Sequence, residues 1–65
     1  MTTKEFTAEV HRRAKALGLS AESIIVESGM SRQTWRSWST GRTSPSLDNV
    51  THVLKTLNRL EKRYT

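Results

Sequence analysis

The chain has 65 residues, 11 Lys+Arg against 6 Asp+Glu, a formal net charge of +5 and no cysteine. This length permits one small domain, and a chain without cysteine forms neither disulfides nor thiolate metal sites. The longest apolar run, residues 24–26, is too short to span a membrane, and the N-terminus lacks the apolar stretch of a signal peptide. We therefore expect a cytoplasmic protein whose positive charge favours a polyanionic partner.

The first predicted helix runs from Thr3 to Leu17. Four apolar residues recur at helical spacing along one side of it: Phe6, Val10, Ala14 and Leu17. Thr2 and Glu5 fit a capping box at its start, and Gly18 fits the residue that follows a helix C-terminus.

Two short helices are predicted next, each preceded by a serine suited to the N-cap. Ser20 precedes a helix over residues 21–28, and Ser31 precedes one over residues 32–39. The β-branched run at 24–26 would also suit a strand, but it shows no alternation and the chain offers no partner strand, so a helix is favoured.

A loop and a longer helix complete the chain. Pro45 cannot lie inside a helix, and Ser46 is available as the next cap. From there the apolar residues again recur at helical spacing: Leu47, Val50, Val53, Leu54, Leu57 and Leu60. Basic residues suit its C-terminus: Arg59, Lys62 and Arg63.

These elements predict an all-α fold, a compact bundle of four short helices in one domain over residues 1–65. A fifth helix would form only if the last residues separated from the fourth. The two short helices and the turn around Gly29 have the lengths of a helix-turn-helix unit, over about residues 20–40.

On a helical wheel, Trp35 and Trp38 lie on one side of the third helix. Opposite them lie four polar residues: Gln33, Arg36, Ser37 and Thr40. Tryptophans at this spacing are typical of a core, and if they instead stacked on single-stranded bases the helix would have nothing to bury. The polar row is either a solvated surface or a contact surface, and the absence of any acid between Glu27 and Asp48 favours contact.

Several residues at fixed intervals carry a family resemblance: Leu19-Ser20, Ser28-Gly29-Met30-Ser31, Arg32, Thr34, Trp38, Gly41 and Pro45-Ser46-Leu47. Residues 19–57, and with the first helix about 5–58, resemble the Cro/cI-repressor-type (lambda-repressor-like) helix-turn-helix domain. The chain departs from the family at Ile25, where a small residue is usual. It also departs at Ala21, where a phosphate-binding glutamine is frequent, and at Val26, where a polar residue is usual.

The resemblance implies a sequence-specific regulator of transcription that binds double-stranded DNA. The simplest form is a bacterial repressor of a phage, prophage or plasmid, with the third helix in the major groove. Together with the wheel, it makes four residues candidates for reading bases: Gln33, Arg36, Ser37 and Arg32, although Arg32 could equally hold a phosphate. The phosphate-binding candidates are Ser20, Ser31, Thr34, Thr40, Arg42, Thr43 and Ser44.

A module this small would gain specificity as a homodimer on an inverted repeat, whether it dimerises free or only on DNA. Candidate dimer contacts are Leu60, Tyr64 and Val26. A protein-interaction module, such as an antitoxin or inhibitor that reuses the fold, is the alternative. An enzyme is not expected, nor a cofactor, metal or small-molecule effector, because His11 and His52 stand on different helices without further ligands.

Overall fold

Four helices account for most of residues 1–64, the part of the chain that the computed structural model describes. They are α1 Thr3–Ala16, α2 Ala21–Glu27, α3 Arg32–Ser39 and α4 Leu47–Tyr64. The predicted all-α fold is confirmed. Residues 58–64 continue α4 and form no separate helix. Thr65, the last residue of the predicted domain, lies outside the described residues.

A side-chain hydroxyl caps the N-terminus of each of the four helices, as the sequence predicts. Thr2 Oγ1 accepts a hydrogen bond from the Glu5 amide at 3.1 Å, and the Glu5 carboxylate accepts one from the Thr2 amide at 2.8 Å. The second of these bonds lowers the pKa of Glu5. Ser20, Ser31 and Ser46 cap α2, α3 and α4 in the same way. Each cap satisfies a backbone amide that the helix itself leaves without a partner.

The C-terminal ends of α1 and α2 each lie one residue before the predicted position. Leu17 and Ser28, predicted as the last helical residues, are the C-caps, with φ/ψ of −90°/−1° and −78°/0°. Their backbone is still right-handed, so a pattern of apolar spacing cannot separate them from the last helical turn.

The core draws side chains from all four helices. Its buried apolar residues are Phe6, Val10, Ala14, Ala21, Ile24, Ile25, Trp35, Trp38, Val53, Leu57 and Leu60. The Phe6 and Trp38 rings meet edge to face, with centroids 5.9 Å apart and planes at 64°. Within residues 1–64, α3 contacts α1 and α2 but not α4, so its outer side has no helix packed against it.

Two expectations about apolar residues are wrong. The sequence predicts Leu47 in the apolar stripe of the last helix, but its side chain is 81% exposed, because side chains of a first helical turn point back toward the helix N-terminus, here away from the core. Leu60 was a candidate dimer contact but is 5% exposed. It continues the buried stripe one turn beyond Leu57, so it is not available to a second subunit.

One ion pair joins the first helix to the last. Arg13 Nε donates to Glu61 Oε2 at 2.8 Å, and Arg13 Nη2 donates to Glu61 Oε1 at 2.5 Å and to Asn58 Oδ1 at 2.7 Å. Hydrogen bonding from Arg13 lowers the pKa of Glu61, and the same interaction raises the pKa of Arg13. The Arg13 side chain is 16% exposed and that of Glu61 37%, so water partly screens the pair.

Replacing Trp38 with alanine is expected to cost about 3–5 kcal/mol of folding free energy, because a ring at the centre of the core is lost. A chain of this length has about 3–10 kcal/mol in total, so the variant would lose at least about a third of its stability. Urea denaturation followed by circular dichroism measures the loss. Tyr64→Ala, which removes an aromatic ring that is 61% exposed, is the matched control. Equal stabilities for the two variants would contradict the description of this core.

Replacing Arg13 with methionine is expected to lower the free energy of unfolding at pH 7 by about 1 kcal/mol, less than for a fully buried pair. The folded-state pKa of Glu61 lies below its unfolded value, so its contribution is present above the unfolded value and lost as the pH falls through the folded one. The difference between wild type and variant should therefore shrink in acid to the part that the hydrogen bond from Arg13 to Asn58 contributes. Arg12→Met breaks an ion pair within one helix and should cost less than about 0.5 kcal/mol. A difference that does not change with pH would contradict the assignment.

Candidate nucleic-acid interface

The eight residues of α3 are fixed in rotation by their two tryptophans. Trp35 is 8% exposed and Trp38 is 4% exposed, which confirms the prediction that both are buried. Burying this side turns the polar row outward. Gln33, Arg36 and Thr40 are exposed and Ser37 is half-buried.

The turn between α2 and α3 sets the position where α3 begins. The Gly29 amide donates to the Val26 carbonyl at 2.9 Å, and the Met30 amide donates to the Ile25 carbonyl at 3.1 Å. Gly29 has φ +87°, a conformation that side-chain-bearing residues rarely adopt. A Cβ there would meet no other group within 4 Å, so the requirement for glycine comes from the backbone alone.

The loop after α3 is tied both to α3 and to the start of α1. The amides of Arg42 and Thr43 donate to the Ser37 carbonyl at 3.0 and 3.3 Å, and Gly41 at φ +79° makes this turn. On the other side, Thr3 Oγ1 donates to Ser44 Oγ at 2.9 Å. The exposed Arg42, Thr43 and Ser44 thus lie next to the C-terminal end of α3 in an ordered arrangement.

Positive charge is left uncompensated at α3 and its loop. Four arginines pair with acids elsewhere or at the border: Arg12 with Glu9, Arg13 with Glu61, Arg32 with Glu22 and Arg59 with Glu27. Arg36 and Arg42 have no ion pair or side-chain hydrogen bond to any residue in 1–64. These two guanidinium groups are therefore available to an anionic partner.

Several predicted phosphate-binding hydroxyls already have partners within the chain. Ser20 Oγ accepts from the Ser23 amide at 3.2 Å, and Ser31 Oγ accepts from the Thr34 amide at 3.3 Å. Thr40 Oγ1 donates to the Arg36 carbonyl at 3.0 Å, which occupies its proton. Ser20 Oγ and Ser31 Oγ also each lie in a hydrogen bond with a neighbouring hydroxyl, Ser23 Oγ at 2.8 Å and Thr34 Oγ1 at 3.2 Å, in which either atom can donate.

An ion pair that the sequence did not reveal connects the starts of α2 and α3. Arg32 Nε lies 3.5 Å from Glu22 Oε2, across the turn. The residues are ten apart, and no periodic pattern links them. Only the angle between the two helices brings them together, so the sequence gives no signal for this contact.

The described residues offer little for other kinds of site. Within residues 1–64, no group of three or more His, Cys, Asp or Glu side chains is placed to hold a metal ion. Both His11 and His52 are exposed. None of the helices in this range combines the length and the apolar character needed to cross a membrane.

Comparison of the chain with protein-family models, with curated proteins and with solved structures finds no match. The resemblance to Cro/cI-type repressors therefore stays a prediction from the residues of this chain.

Replacing Ser31 with alanine is expected to destabilise the protein by about 1 kcal/mol, because the Thr34 amide loses one of its two acceptors and keeps only the Ser31 carbonyl at 3.1 Å. Hydrogen exchange at the Thr34 amide should accelerate, since the Ser31 Oγ cap helps to hold it in place. Ser39→Ala, an exposed serine at the other end of α3, serves as the control and should change neither quantity. Unchanged exchange at Thr34 would contradict the capping role of Ser31.

Proposed function

We propose that this protein is a sequence-specific double-stranded DNA-binding regulator of transcription. In this proposal α2, the turn and α3 form a helix-turn-helix, and α3 enters the major groove. The observation that carries it is the outer side of α3. This side is polar, it lies in a segment without an acid between Glu27 and Asp48, and the burial of Trp35 and Trp38 turns it away from the core. Repression in the bacterial cytoplasm, by occupying a promoter of a phage, prophage or plasmid, is the simplest role for a chain of this kind.

The dimensions of α3 suit the major groove. Eight residues at a rise of about 1.5 Å each give a helix about 12 Å long, comparable with the width of the major groove. No other helix of residues 1–64 covers its outer side, so a duplex can approach without displacing part of the fold.

The side chains along this surface have donors and acceptors that match base edges. Gln33 suits the N6 and N7 groups of adenine, and Arg36 suits the O6 and N7 acceptors of guanine. They lie one turn apart on α3, about 5 Å along its axis, so they would reach neighbouring base pairs. Ser37 lies deeper and is the weakest of the base-reading candidates.

Phosphate contacts on both sides of α3 would set its register in the groove. Arg42 and Thr43 follow the C-terminal end of α3, and the α2 start near Ser20 lies on the other side. Such contacts hold the protein in place and carry no sequence information. Thr40, with its proton already donated to the Arg36 carbonyl, would contribute least.

A homodimer would place two copies of α3 in successive major grooves, about 34 Å apart on an inverted repeat. Of the three candidate dimer contacts, Tyr64 and Val26 are 61% and 47% exposed, whereas Leu60 is buried in its own subunit. The proposed contact therefore involves Tyr64 and Val26 without Leu60.

A protein-interaction module, such as an antitoxin or inhibitor, is a second candidate. The exposure of Val26 on α2 favours it, because an apolar side chain in water gains free energy when a partner covers it. The dependence of binding on salt concentration distinguishes the two functions. With about six to ten phosphate contacts, DNA affinity would fall by about 10³–10⁵ between 50 and 200 mM salt. A protein complex formed through Val26 would survive this change.

Replacing Arg36 with alanine is expected to weaken binding to a selected duplex by about 1–3 kcal/mol and to relax the preference at one base pair. Replacing Arg42 with alanine should weaken all duplexes alike and reduce the salt slope by about one. The duplex is obtained by selection from a randomised pool, and affinities are measured by fluorescence anisotropy against a scrambled duplex.

Lys62→Ala, at the opposite end of α4 from the loop, removes the same charge and is the matched control for both variants. It should leave the affinity and the preference unchanged. Equal losses on selected and scrambled duplexes for Arg36→Ala would contradict its role as a base reader.

A further inference from the structure

The ion pair between Glu22 and Arg32 stands apart from the other charge pairs of the chain. Arg32 is the first residue of α3, and Glu22 lies in the first turn of α2. Of the three arginines from residue 28 to residue 47, Arg32 alone pairs with an acid within the described chain. An acid is thus held at the edge of the surface proposed to meet DNA, where it would oppose a phosphate.

Folding stability does not account for the placement of this pair. The Arg32 side chain is 68% exposed and that of Glu22 is 37% exposed, and ion pairs in water contribute little to the free energy of unfolding. Glu22 would favour the positive N-terminal end of α2 without Arg32. The main effect of the contact is therefore on the charge and the free donors of Arg32.

The geometry leaves part of the guanidinium group available. The 3.5 Å contact joins Glu22 Oε2 to Arg32 Nε, on one edge of the group. Arginine has five N–H donors in a rigid plane, so the edge with the two Nη atoms keeps the donors that match guanine O6 and N7. The carboxylate meanwhile offsets the charge that would attract any phosphate.

We propose that Glu22 is a specificity-determining residue, which by pairing with Arg32 makes that arginine a reader of base edges and not a general anchor for phosphate. This inference rests on the proposed DNA-binding function. The sequence alone allows Arg32 to contact either a base or a phosphate. The inference assigns Arg32 to the bases.

Glu22→Gln tests this, and the chain supplies a matched control in Glu27→Gln. Glu27 Oε1 lies 3.3 Å from Arg59 Nη2, with side chains 49% and 61% exposed, so both variants break a similar pair and raise the net charge equally. Affinities for a duplex selected by the wild type and for a scrambled duplex are measured by fluorescence anisotropy over a range of salt concentrations.

Glu22→Gln should bind the scrambled duplex about 5-fold more tightly, with a steeper salt slope, because Arg32 gains a phosphate contact. Affinity for the selected duplex should change less, so the ratio of the two affinities falls several-fold. Glu27→Gln should leave the ratio unchanged. In an Arg32→Gln background, Glu22→Gln should raise both affinities equally and no longer alter the ratio.

Equal changes in the ratio for Glu22→Gln and Glu27→Gln, while the wild type still prefers its selected duplex, would overturn this role of Glu22 and leave the proposed function standing. If the wild type selects no sequence from the pool, the proposed function fails, and the inference fails with it. A ratio that falls for Glu22→Gln alone, and only when Arg32 is present, supports the inference.

Discussion

The burial of Trp35 and Trp38 is the constraint on which the rest of the structure depends. A helix of eight residues gains little from its own hydrogen bonds, so α3 is held by packing against its neighbours. Two large rings, one of them in edge contact with Phe6, set both the position of α3 and its rotation. Once that rotation is set, the opposite side of a 3.6-residue helix has to face water or a partner.

The distribution of charge follows from the same arrangement. Every acid of α1 and α2 except Glu5 pairs with an arginine, and Glu5 is used by its own helix cap. The acid-free segment around α3 consequently keeps Arg36 and Arg42 unpaired. These two arginines therefore contribute uncompensated positive charge on this side of a chain whose net charge is +5. A polyanion that approached this side would find donors already directed outward.

Much of the fold could be predicted from the sequence because its signals are local. The N-caps at Thr2, Ser20 and Ser31 use a side chain three residues from the amide it serves, so the sequence carries the whole contact. The burial of Trp35 and Trp38 was also predictable, since helical spacing places them on one side together.

The remaining contacts depend on how helices meet, which local patterns do not contain. The bonds between Thr3 and Ser44, between Arg13 and Glu61, and between Glu22 and Arg32 join separate elements. The exposure of Leu47 had the same origin. Its spacing is that of a core residue, but side chains of the first turn of α4 point back toward the helix N-terminus, here away from the core. Only the three-dimensional structure shows which of the candidate hydroxyls already have hydrogen-bond partners within the chain.

The most direct measurement is a titration of the ¹⁵N-labelled protein with its selected duplex, followed by two-dimensional nuclear magnetic resonance. Large shifts are expected for the amides of α3 and of the loop at residues 41–44, and for the Gln33 side-chain amide. The carbon-bound ring protons of Trp35 and Trp38 should keep the shifts of a packed core throughout, because both rings are buried. Shifts concentrated on α4, or tryptophan rings that leave the core as DNA is added, would contradict the proposed contact surface.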